Sequence, residues 1–425
     1  MIMKLNRIPY WSVVLAVLAC LTALPVKAQL TYSVNGDNTI TITGYSGLPG
    51  NLVIPSTMKV VTGYDVYNQP IYSTLPVTGI GDNAFYECSS LTSVTIPNGV
   101  ITIGDSAFFY CLNLTSATVP NSVTAIGDMA FYSCSSLTNM DIPNGVTSIG
   151  ASALEGCNLT SVMIPNSVIT IGAGAFSYCD SLTNVAIGNS VTTIGYTAFY
   201  RCPNLTNVTI GNSVTTIGGY AFANCPMTSV TIPNSVTTIG AEAFQSCLGL
   251  TNVVIGNSVT SIGSYAFNDS PRLTSVTIPN SVTNIGEWAF YYCHALTNVY
   301  FQGNAPTVDG VAGSADGSVL YGDTGTVYYL PGTSGWGSSF GGWPTAQWYQ
   351  PQPKIISSSR GTGVQGNGFQ FTVGWATNTA VVVEASTNLH NWTPVSTNTL
   401  VNGTNYFSDA SFTNYPQRFY RVRSQ

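Results

Sequence analysis

The sequence predicts a repeat solenoid followed by a small all-β domain, and three recurrences predict it. A cysteine returns at 88, 111, 134, 157, 179, 202, 225, 247 and 293, in steps of 22 or 23, with Ser270 in the one vacant slot. A leading apolar residue keeps the same period at Leu91, Leu114, Leu137, Leu159, Leu182, Leu205, Met227, Leu250, Leu273 and Leu296. So does an aromatic, at Phe85, Phe108, Phe131, Phe176, Phe199, Phe222, Phe244, Phe267 and Phe290, with Leu154 in the fourth copy. A period in the twenties marks stacked coils, because no single copy can bury its own apolar set and neighbouring copies bury it jointly.

At the amino terminus, MIMKLNRIPYWSVVLAVLACLTALPVKAQ places Lys4 and Arg7 before an apolar run from Trp11 to Leu24, followed by Val26-Lys27-Ala28. That order predicts a Sec-type bacterial signal peptide over residues 1–28, a mature chain starting near Gln29, and a secreted or cell-surface location. A competing reading takes Cys20 as a lipid-attachment site, but Leu21, Ala23 and Leu24 after it suit the middle of the apolar region better. No later apolar run is long enough to span a bilayer, so no transmembrane segment is expected after cleavage. Only 7% of the 425 residues are charged, and solubility must rest on Thr, Ser, Asn and Gly. Cleavage removes three of 11 basic residues and none of 17 acidic ones, leaving 8 against 17, a net charge of −9. Between Val77 and Phe301 the basic residues are Arg201 and Arg272, so there is no basic stripe and nucleic acid is not an expected partner.

Residues 29–76 read as a β-rich N-terminal cap and residues 77–301 as ten repeats. In the copy starting at Leu205, apolar letters at Leu205, Val208 and Ile210 have the L-x-x-L-x-L spacing of a leucine-rich repeat, the later pair alternating as a short strand does. A Pro-Asn or Gly-Asn pair then turns the chain, Val214 and Ile217 return to the core, and Gly218 opens a short helical turn carrying Ala221 and Phe222. The expectation is one short parallel strand and one short helical turn per coil, with strands roughly 4.8 Å apart. Residues 302–350 read as a closing cap, since an open end would expose core and unpaired strand edges. Residues 351–361 have the composition of a linker. Residues 362–425 read as a β-sandwich-like domain, from short β-rich runs such as FQFTVGW, AVVVEAS and RFYRV between turn-forming stretches.

Chemical sites are scarce. The chain has two histidines, His294 and His390, and no C-x-x-C, so zinc or nucleophile readings of the cysteines lack partners. Cys88, Cys111, Cys134, Cys157, Cys179, Cys202, Cys225, Cys247 and Cys293 are expected instead as a structural core column of small buried thiols. Disulfides between adjacent coils are allowed by distance and opposed by the parallel orientation of equivalent side chains. Asp82, Asp105 and Asp128 occupy equivalent slots, readable as helix N-caps or as a stacked carboxylate column for Ca²⁺. With no acid/base pair at matched spacing, no catalytic residue, metal or cofactor is expected. The outward strand face is almost uniformly Thr, Ser and Asn, interrupted at Asp141, Met163, Val254 and Tyr300. The letters that drift lie in the turn region: Tyr86, Phe109, Tyr110, Tyr132, Tyr178, Tyr200, Tyr291 and Tyr292. Aromatics on a polar surface suit a glycan or a protein partner, and the competing reading is packing between coils.

The motif L-T-[SN]-V-x-I-P-N-[SG]-V-T-x-I-G-x-x-A-F-x-x-C, across residues 77–301, closely resembles the BspA-like leucine-rich repeats of bacterial surface proteins. The flanking segments resemble that family's cap and closing unit. The resemblance implies export and surface display, with adhesion or binding of host or matrix proteins known for some members, while binding residues are not part of the shared motif. Two expectations of different class follow. One is a non-catalytic extracellular module for adhesion or protein or glycan binding; the alternative is a passive spacer or matrix protein of the envelope.

Overall fold

The computed structural model describes residues 29–47, 50–309, 318–348, 354–356, 363–365, 368–375, 380–401 and 404–424. The expected signal peptide, residues 1–28, lies outside the described residues. The chain divides into two compact units, one ending at Thr160 and one beginning at Ser161, and each is described by itself.

In the first unit the cap hands its register to the repeats. Ile40–Ser46 pairs antiparallel with Gln29–Val34 and parallel with Pro70–Ile80, whose end pairs in turn with Thr102–Ile103. Ile42, Ile80, Ile103, Ile126 and Ile149 then follow one another across a parallel ladder. A second cap strand, Gly50–Val53, starts a separate parallel sheet with Leu91–Thr95 and Ser116–Thr118. Most coils therefore supply two short strands, where the sequence predicted one. The shorter is only two residues long, as at Thr102–Ile103 or Ala125–Ile126, too brief to register as alternation.

The expected helical turn is absent from the repeats; among the described residues the one helix is the 3₁₀ turn Phe412–Asn414. In the first coil, Asn83 and Glu87 have φ of 58° and 54°. Left-handed residues at every fourth position prevent helix continuation. The N–H groups of Asn83, Phe85 and Glu87 donate instead to the carbonyls of Asp105, Ala107 and Phe109 in the next coil, at 2.9, 2.7 and 2.7 Å. The same pair of left-handed positions recurs in every coil, as at 106/110 in the first unit and 197/201 in the second. Consecutive coils within a unit are thus bonded along the shorter-strand sheet and this turn ladder, and most of them along the longer strands as well.

The core is a set of columns. Phe85, Phe108 and Phe131 stack with centroids 4.7 and 4.9 Å apart, and Phe176 to Phe290 stack in the second unit at 5.2–5.5 Å. Each buried ring is worth about 1.5–3 kcal/mol relative to exposure. Among the described residues none of the nine column cysteines is in a disulfide; Cys88 is half-buried and the others are buried. Most donate S–H to the carbonyl of the aromatic one coil back: Cys111 to Phe85 at 3.0 Å, Cys134 to Phe108 at 3.1 Å, Cys225 to Phe199 at 3.0 Å and Cys293 to Phe267 at 3.2 Å. Ser270, in the same slot, keeps its hydroxyl buried without a partner, because a C–O bond is shorter than a C–S bond and does not span the gap.

Constant polar letters serve the same stacking. The Asp82, Asp105 and Asp128 carboxylates accept the backbone N–H of Asp105, Asp128 and Ala151 at 2.9, 2.8 and 2.7 Å. They cap no helix. They tie each coil to the next, and the neighbouring Gly127 is required because a Cβ there would lie 2.6 Å from the Asp105 carboxylate. Asn166 and Asn189 repeat the device in the second unit, and Thr115 and Thr215 donate hydroxyls to the equivalent carbonyls one coil back.

The second unit carries six coils and closes on Asn298–Phe301, Thr326–Tyr329 and Trp343–Gln347 in parallel, with Ser339–Phe340 antiparallel at the edge. Beyond it, Lys354–Ile356, within the stretch read as a linker, pairs antiparallel with Gly368–Gly374, which also pairs with Thr404–Asp409. Ala380–Ser386 pairs with Thr393–Thr399 and Phe419–Ser424. The two sheets share a core of Phe371, Val373, Val381, Val383, Leu400 and Phe407.

Candidate functional site

The turn ladder fixes a backbone conformation without fixing the side chain. The residue before each cysteine slot is left-handed in every coil: Glu87, Tyr110, Ser133 and Gly156 in the first unit, then Tyr178, Arg201, Asn224, Ser246, Asp269 and Tyr292 in the second. Gly, Asn and Asp are the residues this conformation favours; a bulkier residue there is disfavoured by about 1–2 kcal/mol. Coil packing accepts anything from Gly156 to Tyr178, so it does not select the tyrosines.

Four predicted residues meet in the first unit. Tyr86, Phe109 and Tyr132 stack in a column with centroids 4.9 and 5.0 Å apart, and Tyr110 tilts against Phe109 at 4.7 Å and Tyr132 at 5.8 Å. Phe109 and Tyr132 are half-buried, as the packing reading requires, whereas Tyr86 and Tyr110 are 45% and 40% exposed. In the second unit Tyr178 meets Tyr200 edge-on at 5.6 Å, and Tyr200 meets Tyr220 at 6.1 Å. Tyr291 and Tyr292 stand apart from these in the last coil, stacked on each other at 3.9 Å, with His294 5.3 Å from Tyr292.

Sequence reasoning missed Tyr220, Tyr265 and Trp288, which occupy the other left-handed position. Tyr265 and Trp288 lie 5.0 Å apart. Their signal was legible: each stands two residues after the glycine of the Ile-Gly pair. The Tyr220 hydroxyl donates to the Glu242 carboxylate, and that bond pushes its pKa up to about 12. Stacking surfaces, phenol hydroxyls and amides give this edge groups for apolar contact and hydrogen bonding.

The strand face offers less. The threonines beside the leading apolar residues donate their hydroxyls to the protein's own carbonyls, as at Thr251 to Thr228. Of its four departures, Met163 and Val254 are exposed apolar side chains and Asp141 an exposed carboxylate, while Tyr300 stacks on Tyr328 at 5.1 Å and tilts against Trp348 at 4.9 Å.

A family model described as BspA type Leucine rich repeat region matches residues 69–182, 148–227 and 215–310, together more than half of the chain. The chain belongs to the BspA-type leucine-rich repeat family. Among solved structures, this BspA-type protein is 25% identical to a leucine-rich repeat protein from Bacteroides ovatus ATCC 8483, over 72% of this chain and 94% of that one, with a TM-score of 0.42. It is 32% identical to the T. pallidum leucine-rich repeat protein, over 46% of this chain and 86% of that one, at a TM-score of 0.40. It is 27% identical to a leucine-rich cell surface protein from Faecalibacterium prausnitzii A2-165, over 72% and 96%, at 0.38. No curated protein matches the chain.

Proposed function

We propose that this BspA-type protein is exported, acts outside the cytoplasm at or near a bacterial surface, and binds an extracellular protein or glycan through the turn edge without catalysing a reaction. One observation carries the reading: Tyr110, Tyr178, Arg201 and Tyr292 occupy left-handed positions that other coils fill with Glu, Gly, Ser, Asn or Asp. Bulky residues held against local backbone preference, on an edge where packing does not require them, fit selection for contact with a partner. Family membership and the leader containing Lys4 and Arg7 support export.

A passive spacer is the second reading, favoured by the uniform strand face and by threonine hydroxyls that bond back to the protein. The deciding experiment presents residues 29–425 to an array of glycans and extracellular matrix proteins, beside a variant with Tyr86, Tyr110, Tyr178 and Tyr292 changed to Ser. Binding by the parent and loss in the variant is the expected outcome. A folded parent that binds nothing on the array favours the spacer.

A further inference from the structure

On the second unit, Tyr178, Asp180, Arg201, Pro203 and Asn224 line a cleft of about 390 Å³. We infer that this cleft is a binding site for a neutral saccharide, a deepening that rests on the turn-edge reading above. Three of the lining residues are successive members of the left-handed column, with φ of 56°, 54° and 59°, so three coils present their side chains to one space.

Their chemistry is that of a sugar site. Tyr178 is 43% exposed and offers a flat apolar ring against which the C–H face of a pyranose can lie. The Arg201 guanidinium sits 5.8 Å from the centre of that ring, on the exposed edge, and brings several N–H donors toward the same space. The Asp180 carboxylate accepts, and the Asn224 amide both donates and accepts, which matches adjacent hydroxyls that do both. The backbone of Asp180 is held in place by the Asn204 amide, which donates to its carbonyl at 2.7 Å. Pro203 supplies an apolar rim. The one cation and the one carboxylate lining the cleft offset each other in formal charge, so a charged ligand gains little and a neutral polyol can use both. The volume lies toward the low end of the range for small-ligand sites, about 300–1,000 Å³.

Arg201 and Tyr178 can be removed without disturbing the coil, because asparagine already occupies the same column at Asn224 and suits the left-handed conformation. The test therefore titrates residues 29–425, Tyr178→Asn, Arg201→Asn and a strand-face control, Val254→Thr, with cello-, xylo-, manno- and maltohexaose and with hexagalacturonate, by calorimetry and saturation-transfer NMR. The expected result is binding of at least one neutral hexasaccharide, weakened tenfold or more in both Asn variants and unchanged in Val254→Thr, with no variant melting below the parent. Binding that survives both Asn substitutions, or that prefers hexagalacturonate, overturns the inference. So does a folded parent that binds a protein on the array and none of the sugars, which leaves the turn-edge reading standing. Failure of array and sugars together removes both.

Discussion

A cysteine in this chain does two jobs in one slot: it fills a small apolar hole and gives a buried carbonyl its hydrogen bond one coil back. Ser270 performs neither completely, its hydroxyl being buried without a partner. An unsatisfied buried polar group costs about 1–3 kcal/mol, so Ser270→Cys should stabilise the second unit by about 1 kcal/mol and raise its melting temperature, measured by calorimetry. Cys225→Ser should destabilise by about 1–2 kcal/mol for the same reason. Thiol reactivity checks the burial. Burial pushes the Cys88 thiol up to about 11, and those of Cys247 and Cys293 to about 12, so the native mature protein should label slowly, Cys88 first, and all nine thiols should label after denaturation. The sequence made the column visible through its period. It did not reveal the thiol-to-carbonyl bond, which joins residues 26 apart and depends on how the turn ladder orients the preceding coil. Asp82 was opaque for the same reason: its partner is the next coil's backbone.

Among the elements, the strand letters Val-x-Ile announced themselves by alternation, and the Gly-x-x-Ala-Phe stretch misled. Its spacing is helical, yet bonding to the next coil competes with bonding inside a helix, and the left-handed residues at 83 and 87 settle that competition. The C-terminal sheets carry an element-level prediction of another kind. Glu384 is buried and accepts hydrogen bonds from Arg423 at 2.8 Å and Arg421 at 2.7 Å, and the two guanidiniums hold its carboxyl below the usual range. A lowered folded pKa means that the stabilisation is present above the unfolded value of about 4.3 and is lost as pH falls through the folded value. Melting of residues 351–425, followed by near-ultraviolet circular dichroism of the whole mature chain, should therefore weaken as pH drops below about 4. Glu384→Gln should flatten that dependence and lower the melting temperature at pH 7, since it removes the charge that pairs both arginines.

At the scale of the molecule, each unit is a stack in which a coil meets its neighbours through hydrogen-bonded ladders and shared columns. Deleting one whole period inside the second unit, residues 203–225, should leave a folded, shorter stack with undiminished helix-free circular dichroism. Deleting residues 301–348 should expose the core of the last coil around Phe290, Leu296 and Val299 and cause aggregation, read by light scattering. Period and core were legible because they repeat. The turn-edge aromatics were legible only as a set of drifting letters, since the repeat does not hold them constant within the chain. The decisive measurement pairs stability with binding in one protein carrying Tyr110→Asn, Tyr178→Asn, Arg201→Asn and Tyr292→Asn. If these side chains are kept at the left-handed positions for a partner, the variant melts at or above the parent's temperature and loses binding on the glycan and matrix-protein array. A variant that melts lower and binds as well as the parent would show that the side chains serve packing, and would contradict the account.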